Sequence, residues 1–138
     1  MTHALFRPIE GKEDIILDFI MHTHEVRAFP SASYAIRLAC EEIIVNIIHY
    51  AYPDHTDGYI DITITDDGKA LYITVCDGGL PFNPLERQRP DTSRNPEDRA
   101  IGGLGIFLVR QMMDHVSYSY HYGENKLTLV KKHPRKDE

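Results

Sequence analysis

The stretch Ala39-Cys-Glu-Glu-Ile-Ile-Val-Asn-Ile-Ile-His-Tyr-Ala-Tyr52 decides how the rest of the chain is read. Neither Pro nor Gly interrupts Ser31 to Tyr52, so the segment reads as a helix running to about Tyr50. At about 100° per residue, Ile36, Cys40, Ile43, Ile47 and Ala51 share one sector. Glu42, Asn46 and His49 share the opposite sector, along about 10 Å of axis. An acid, an amide and an imidazole in a row are an unusual polar face. A carboxylate and an amide oxygen one turn apart can hold a hard cation, or a base beside one. Taken alone, the same row also fits an ordinary solvated face.

Working outward, Pro30 closes a preceding helical segment, Glu10 to Phe29, whose Ile15, Ile16, Phe19, Ile20 and Val26 have helical spacing. Ser31 or Ser33 is available to cap the helix that follows. Thr2 to Ile9 reads as an edge strand ending near Pro8. Beyond the turn-rich segment Pro53 to Gly58, Ile60, Ile62 and Ile64 alternate with polar residues. Asp66-Asp67-Gly68 marks a hairpin turn, and Leu71, Ile73 and Val75 resume the alternation. Val116 to Tyr122 and Lys126 to Lys131, joined through Gly123-Glu124-Asn125, form a second hairpin. Tyr118, Tyr120 and Tyr122 share one face of it, a row that fits sheet packing or a partner surface. A helix from about Gly105 to His115 lies between the hairpins.

Strands with one apolar face need helices to cover that face only. The expected fold is therefore a two-layer α/β sandwich with a mostly antiparallel, mixed sheet and helices on one side. The 138 residues suit a single domain, 1–138. A net charge of −6 argues against a nucleic-acid or anionic-membrane surface. No apolar run approaches the length of a membrane span, and no signal pattern opens the chain, so a cytoplasmic protein is expected. Cys40 and Cys76 each sit in an apolar run and read as reduced, buried thiols.

Two glycine-bearing segments change the weight of the polar helix face. Asp77-Gly-Gly-Leu-Pro-Phe82 follows directly on a strand. Asp77 there can accept a hydrogen bond from an exocyclic amine such as that of adenine, and the glycines let a flat ring approach the backbone. Plain turn chemistry accounts for Asp-Gly-Gly equally well. Gly102-Gly-Leu-Gly105 opens a helix, whose free N–H groups suit phosphate oxygens. Between them lies an aperiodic stretch with Arg87, Arg89, Arg94 and Arg99, long for a connection in a compact domain and read as a lid at about 83–101.

Glu42-x-x-x-Asn46, Asp77-x-Gly79 and Gly103-x-Gly105, in that order with a lid between the last two, resemble the N, G1 and G2 boxes of the Bergerat-fold (histidine-kinase-like, GHKL) ATPases. The resemblance spans about Thr2 to Lys132. Asn46-Ile-Ile-His-Tyr-Ala-Tyr52, Asp77-Gly-Gly-Leu-Pro-Phe-Asn-Pro84 and the run from Gly102 to Val116 look like the anti-sigma-factor serine/threonine kinases. A histidine kinase would need an upstream dimerisation helix pair with a phospho-acceptor His, and a stand-alone domain is expected instead.

The resemblance implies an ATP-dependent kinase that phosphorylates Ser or Thr on a STAS-domain anti-sigma antagonist, with a sigma factor as a further candidate partner. A non-catalytic ATP/ADP-dependent module that sequesters a regulator is the alternative. It implies Glu42 as general base and Asn46 as a Mg²⁺ ligand bridging phosphates. It implies Asp77 as acceptor of the adenine amine and Gly79 as room for the ring. Pro81, Phe82, Gly103, Leu104 and Gly105 join the ATP site, the last glycines through backbone N–H groups. His49 is placed at the site rim, with a structural role as the alternative. Relatives often carry a basic residue just before the second glycine box. Ile101 and Gly102 stand there in this chain, a departure that leaves Arg99 or another lid arginine to meet the γ-phosphate, with weak transfer or a plain solvated loop as the alternatives. A homodimer through the sheet, with Thr63, Thr65 and Thr74 on the contact face, is also implied.

Overall fold

The computed structural model of the protein describes residues 1–52, 57–86 and 103–134. Strands β1 (Thr2–Phe6), β2 (Ile60–Asp66), β3 (Ala70–Asp77), β4 (His115–His121) and β5 (Glu124–Lys132) form one sheet in the order β1-β2-β3-β5-β4. Both expected hairpins are present, and β1 is an edge strand ending at Phe6. All four pairings are antiparallel, rather than the mixed sheet expected from the sequence. Insertion of β5 between β3 and β4 sets Asn125 directly opposite Asp77.

Alternation along the strands explains the layering. Ile60, Ile62, Ile64, Leu71, Ile73, Val75, Leu127 and Leu129 are buried against the helices. Thr63, Thr65, Tyr72, Thr74 and Thr128 lie on the other face and are half-buried. The covering layer is α1 (Glu13–Met21), α2 (His24–Arg27), α3 (Ser33–Asn46) and α4 (Gly103–Met112), with α3 packed between α1 and α4. Ile16, Leu17 and Ile20 of α1 and Ile36, Ala39, Cys40, Ile43 and Ile44 of α3 complete the core. Burial pushes the Cys40 thiol up to about 12, so it is an inert core group. Cys76 is half-buried and is pushed up to about 11 for the same reason.

Three local features differ from the sequence reading. The segment Glu10 to Phe29 is not one helix. Thr23 is extended (φ −66°, ψ 151°), and its hydroxyl donates to the Ile20 carbonyl at 2.7 Å, which ends α1 and starts α2. Within α1 the core face is Ile16, Leu17 and Ile20, and Ile15 is 54% exposed. Neither Ser31 nor Ser33 caps α3. Pro30–Ala32 forms a 3-10 turn and Ala32 occupies the N-cap position. Finally, the α-helix ends at Asn46 and continues as a π-helical turn, Ile47–Ala51.

Candidate functional site

The π-turn builds the site. Its wider winding sets later residues back around the axis, which turns His49 away from Asn46 and brings Tyr50 onto the Asn46 side. His49 lies 3.5 Å from Glu13 of α1 and does not line the cavity. Its rim position is not seen, and its observed contact is to the neighbouring helix. At the end of the turn, the Ala51 carbonyl accepts the Leu80 N–H at 2.9 Å. That bond brings the Asp77-to-Phe82 segment under the end of the long helix.

Gly79 makes this approach feasible. A Cβ there would lie 2.4 Å from the Ala51 oxygen and 2.6 Å from its Cβ. The glycine thus makes room for the π-turn backbone, whereas the sequence reading gave that room to a ring. Tyr52 fastens the same corner. Its hydroxyl donates to the Tyr59 carbonyl at 2.9 Å and accepts from the Tyr59 and Gly78 N–H groups at 3.1 and 2.8 Å. Tyr59 in turn donates to Glu124 Oε2 at 2.7 Å.

The result is a cavity of about 170 Å³ between α3, the π-turn, β3, β5 and the 80–84 segment. This is below the roughly 300–1,000 Å³ of pockets that enclose a whole drug-sized ligand, and it suits one flat ring with the remainder of the ligand outside. Ile43, Ile47, Ala51, Val75, Leu80, Pro81, Phe82, Pro84 and Leu127 give it apolar walls. Asn46, Asp77, Tyr118 and Asn125 supply polar groups. Asp77 continues the inward alternation of Leu71, Ile73 and Val75 and is only 5% exposed. Burial raises its carboxyl above the ordinary range, against the lowering effect of hydrogen bonds from Asn125 and Gly79.

Both of those bonds fall on one oxygen. Asn125 Nδ2 donates to Asp77 Oδ1 at 3.0 Å and the Gly79 N–H donates to it at 2.9 Å. Oδ2 receives no hydrogen bond among the described residues. Asn125 was not singled out in the sequence, where Gly123-Glu124-Asn125 reads as a turn. Its signal was its place in the period-two run with Leu127 and Leu129, which makes it a polar residue on a core face. Tyr118, read there as sheet packing or partner surface, donates its hydroxyl to Asn125 Oδ1 and lines the cavity. Tyr122 leaves the row and sits in the hairpin turn, with φ +54°, beside Gly123 at φ +78°.

Glu42 and Asn46 share a face, as the helical spacing predicts. Asn46 Nδ2 donates to Glu42 Oε1 across a long 3.4 Å. Asn46 reaches the cavity wall, while Glu42 stands one turn beyond it and is half-buried. With its nitrogen turned to Glu42, Asn46 has its amide oxygen available to a cation. No group of three or more His, Cys, Asp or Glu among the described residues could hold a metal, so a cation at Asn46 would need ligand oxygens from elsewhere. Gly103, Leu104 and Gly105 form the first turn of α4. Arg99 and the greater part of the 83–101 segment lie outside the described residues. At the near end of that segment, Pro84–Glu86 forms a 3-10 turn tied to α4 by Arg110 Nη2 donating to the Leu85 carbonyl at 2.8 Å.

The sequence model of the histidine kinase-like ATPase domain matches residues 16–131. The chain belongs to this family. Similar proteins include the serine/threonine-protein kinase BtrW of Bordetella bronchiseptica, 27% identical over 97 residues, 70% of this chain and 68% of that protein. The serine-protein kinase RsbW of Listeria monocytogenes is 30% identical over 92 residues, 64% of this chain and 59% of its own length. The anti-sigma F factor of Bacillus velezensis is 26% identical over 82 residues, 59% of this chain and 56% of that protein. The chain therefore spans between about half and two thirds of the length of these relatives. Among solved structures, the histidine kinase domain of the blue-light activated histidine kinase of Erythrobacter litoralis EL346 shares the fold. It has a TM-score of 0.53 at 16% identity, covering 86% of this chain and 58% of that one. No helix among the described residues is long and apolar enough to cross a membrane.

Proposed function

We propose that the protein is an ATP-dependent serine/threonine kinase acting as a cytoplasmic partner switch, its substrate a STAS-type anti-sigma antagonist. The observation that carries this reading is the Asp77 carboxylate. It is buried at the end of an apolar slot sized for one ring, with Oδ2 turned to no protein donor among the described residues. An exocyclic amine of adenine is the donor that completes it. The names of the similar kinases and anti-sigma factor support the rest.

In this mechanism the phosphates leave the slot toward the first turn of α4, where the N–H groups of Gly103 to Gly105 receive their oxygens. Asn46 supplies an amide oxygen to Mg²⁺, whose chemistry is to neutralise charge on the phosphates. Glu42 accepts the proton of the substrate Ser or Thr hydroxyl. That oxygen forms a bond to the γ-phosphorus as the bond to the β,γ-bridging oxygen breaks, and ADP leaves. Arg99, or another arginine of the 83–101 lid, meets the γ-phosphate. Residues 1–138 act as one domain, a sigma factor is a second partner, and the uncovered sheet face with Thr63, Thr65 and Thr74 is the homodimer surface.

The test mixes the purified protein with Mg²⁺-ATP and STAS-type proteins from the same source, and weighs the products intact by mass spectrometry. One partner gains a single phosphate with wild type and none with Glu42→Gln, while Glu42→Gln still binds ADP. A partner that binds only with nucleotide and never changes mass would replace the kinase by a non-catalytic binding module.

A further inference from the structure

The hydrogen bonds of Asn125 leave no freedom in how its amide points. The backbone N–H of Phe82 donates to one end at 3.1 Å, and an N–H can only donate. That end is therefore the oxygen, and the other is the NH₂. The NH₂ then faces Asp77 Oδ1 at 3.0 Å and the Leu80 carbonyl at 2.8 Å, with the Gly79 carbonyl more distant at 3.4 Å. Tyr118 donates its hydroxyl to the same amide oxygen as Phe82. Asn125 is 6% exposed, so water is a poor substitute for these partners.

This lock passes to Asp77. Oδ1 receives two donors, the Asn125 amide and the Gly79 N–H. The carboxylate cannot turn about its last torsion, which is otherwise broad and two-fold, without losing both. Oδ2 is held toward the cavity as a pure acceptor. We propose that Asn125 is a specificity-setting positioning residue, which fixes the Asp77 carboxylate so that the site takes a purine with an exocyclic amine and rejects one with a carbonyl in its place. A ring carbonyl would meet Oδ2 acceptor to acceptor. With Asn125 gone, only the Gly79 N–H would hold Oδ1, and the carboxylate could turn further, or take up a proton and donate, so that the rejection would fade.

The inference rests on the reading of Asp77 as the acceptor of the adenine amine. Because Asn125 also braces the 79–82 turn, affinity alone would not separate positioning from support. The ratio of two affinities does. Dissociation constants for ADP and inosine diphosphate, which differ in this one substituent, are measured by calorimetry with Mg²⁺ for wild type and Asn125→Ala. Wild type is expected to favour ADP by about ten- to a hundredfold, as for a hydrogen bond to a charged group. Asn125→Ala is expected to bring the two within about threefold. If Asn125→Ala weakens both nucleotides equally and keeps the ratio, Asn125 only supports the turn and the proposal is overturned. If wild type itself binds both alike, the reading of Asp77 fails first. Should Asn125→Ala not fold, Asn125→Val carries the same comparison, since it fills more of the space and removes the donor to Asp77 without adding a charge or a new proton.

Discussion

Asp77 illustrates how a functional group stands against the stability of its surroundings. Its carboxyl is raised mainly by burial, with the negative charge of Glu124 acting in the same direction. A carboxyl whose folded pKa is raised contributes stability that is fully present below the unfolded pKa and lost as pH rises through the folded value. At neutral pH the charge is therefore a net burden on the fold. Asp77→Asn keeps an oxygen for the Asn125 and Gly79 donors and removes the charge. It is expected to unfold no more easily than wild type at pH 7, and its advantage should shrink as the pH is lowered through the carboxyl range. Its ADP affinity should fall by about ten- to a hundredfold, as an acceptor toward the cavity becomes a donor. Thermal melts across pH with parallel titrations of ADP check both halves. A less stable Asp77→Asn at pH 7, or unchanged ADP affinity, contradicts the assignment. Asp77 stands out in the sequence because it closes a strand just before two glycines. Asn125 does not, because its role depends on β5 pairing with β3, a long-range choice that no local pattern fixes.

At the scale of elements, the decisive piece is the π-turn Ile47–Ala51 and its contact with Gly79. Gly79→Ala would drive a methyl into the Ala51 carbonyl and should destabilise the protein by about 1–3 kcal/mol, through the shift of packed backbone. ADP binding should be lost with it, since Leu80, Pro81 and Phe82 hang from the same contact. The second substitution Ala51→Gly should not restore either property. It removes the Cβ at 2.6 Å and leaves the carbonyl oxygen at 2.4 Å. Chemical denaturation of the single and double variants decides this, and a Gly79→Ala protein of wild-type stability would show that the contact is easily relieved. The hairpins and the apolar stripe of α3 were legible, because periods of two and 3.6 residues report which face meets the core. The break at Thr23 and the π-turn were not. Each preserves local apolar spacing nearly intact and is set by one side-chain bond or by docking against another segment. His49 shows the consequence: helical spacing alone placed it beside Asn46, and a single wider turn moved it to Glu13.

Across the whole molecule, the candidate site gathers Asn46 of α3, Asp77 of β3, the 80–84 segment and Asn125 of β5 around one cavity. Asn46, the 77–84 segment and Asn125 lie far apart in sequence, and only the folded sheet with its helices brings them together. A ligand held by all of them binds the native state and not the unfolded chain. Nucleotide should therefore stabilise the entire domain, by about 2.7 kcal/mol at a hundred times its dissociation constant. For a chain of this length that is a rise in melting temperature on the order of 10 °C. If Asn46 ligates the cation, the rise with ATP should be larger with Mg²⁺ than with a chelator. In Asn46→Ala it should be the same in both, at the smaller value set by the adenine slot. Adenosine, which carries no phosphate, should raise the midpoint of each protein by an amount that does not change with Mg²⁺. An Asn46→Ala protein that keeps the full Mg²⁺-dependent increment would move the cation to other groups, while leaving the adenine end of the site, argued from Asp77 and Asn125, in place.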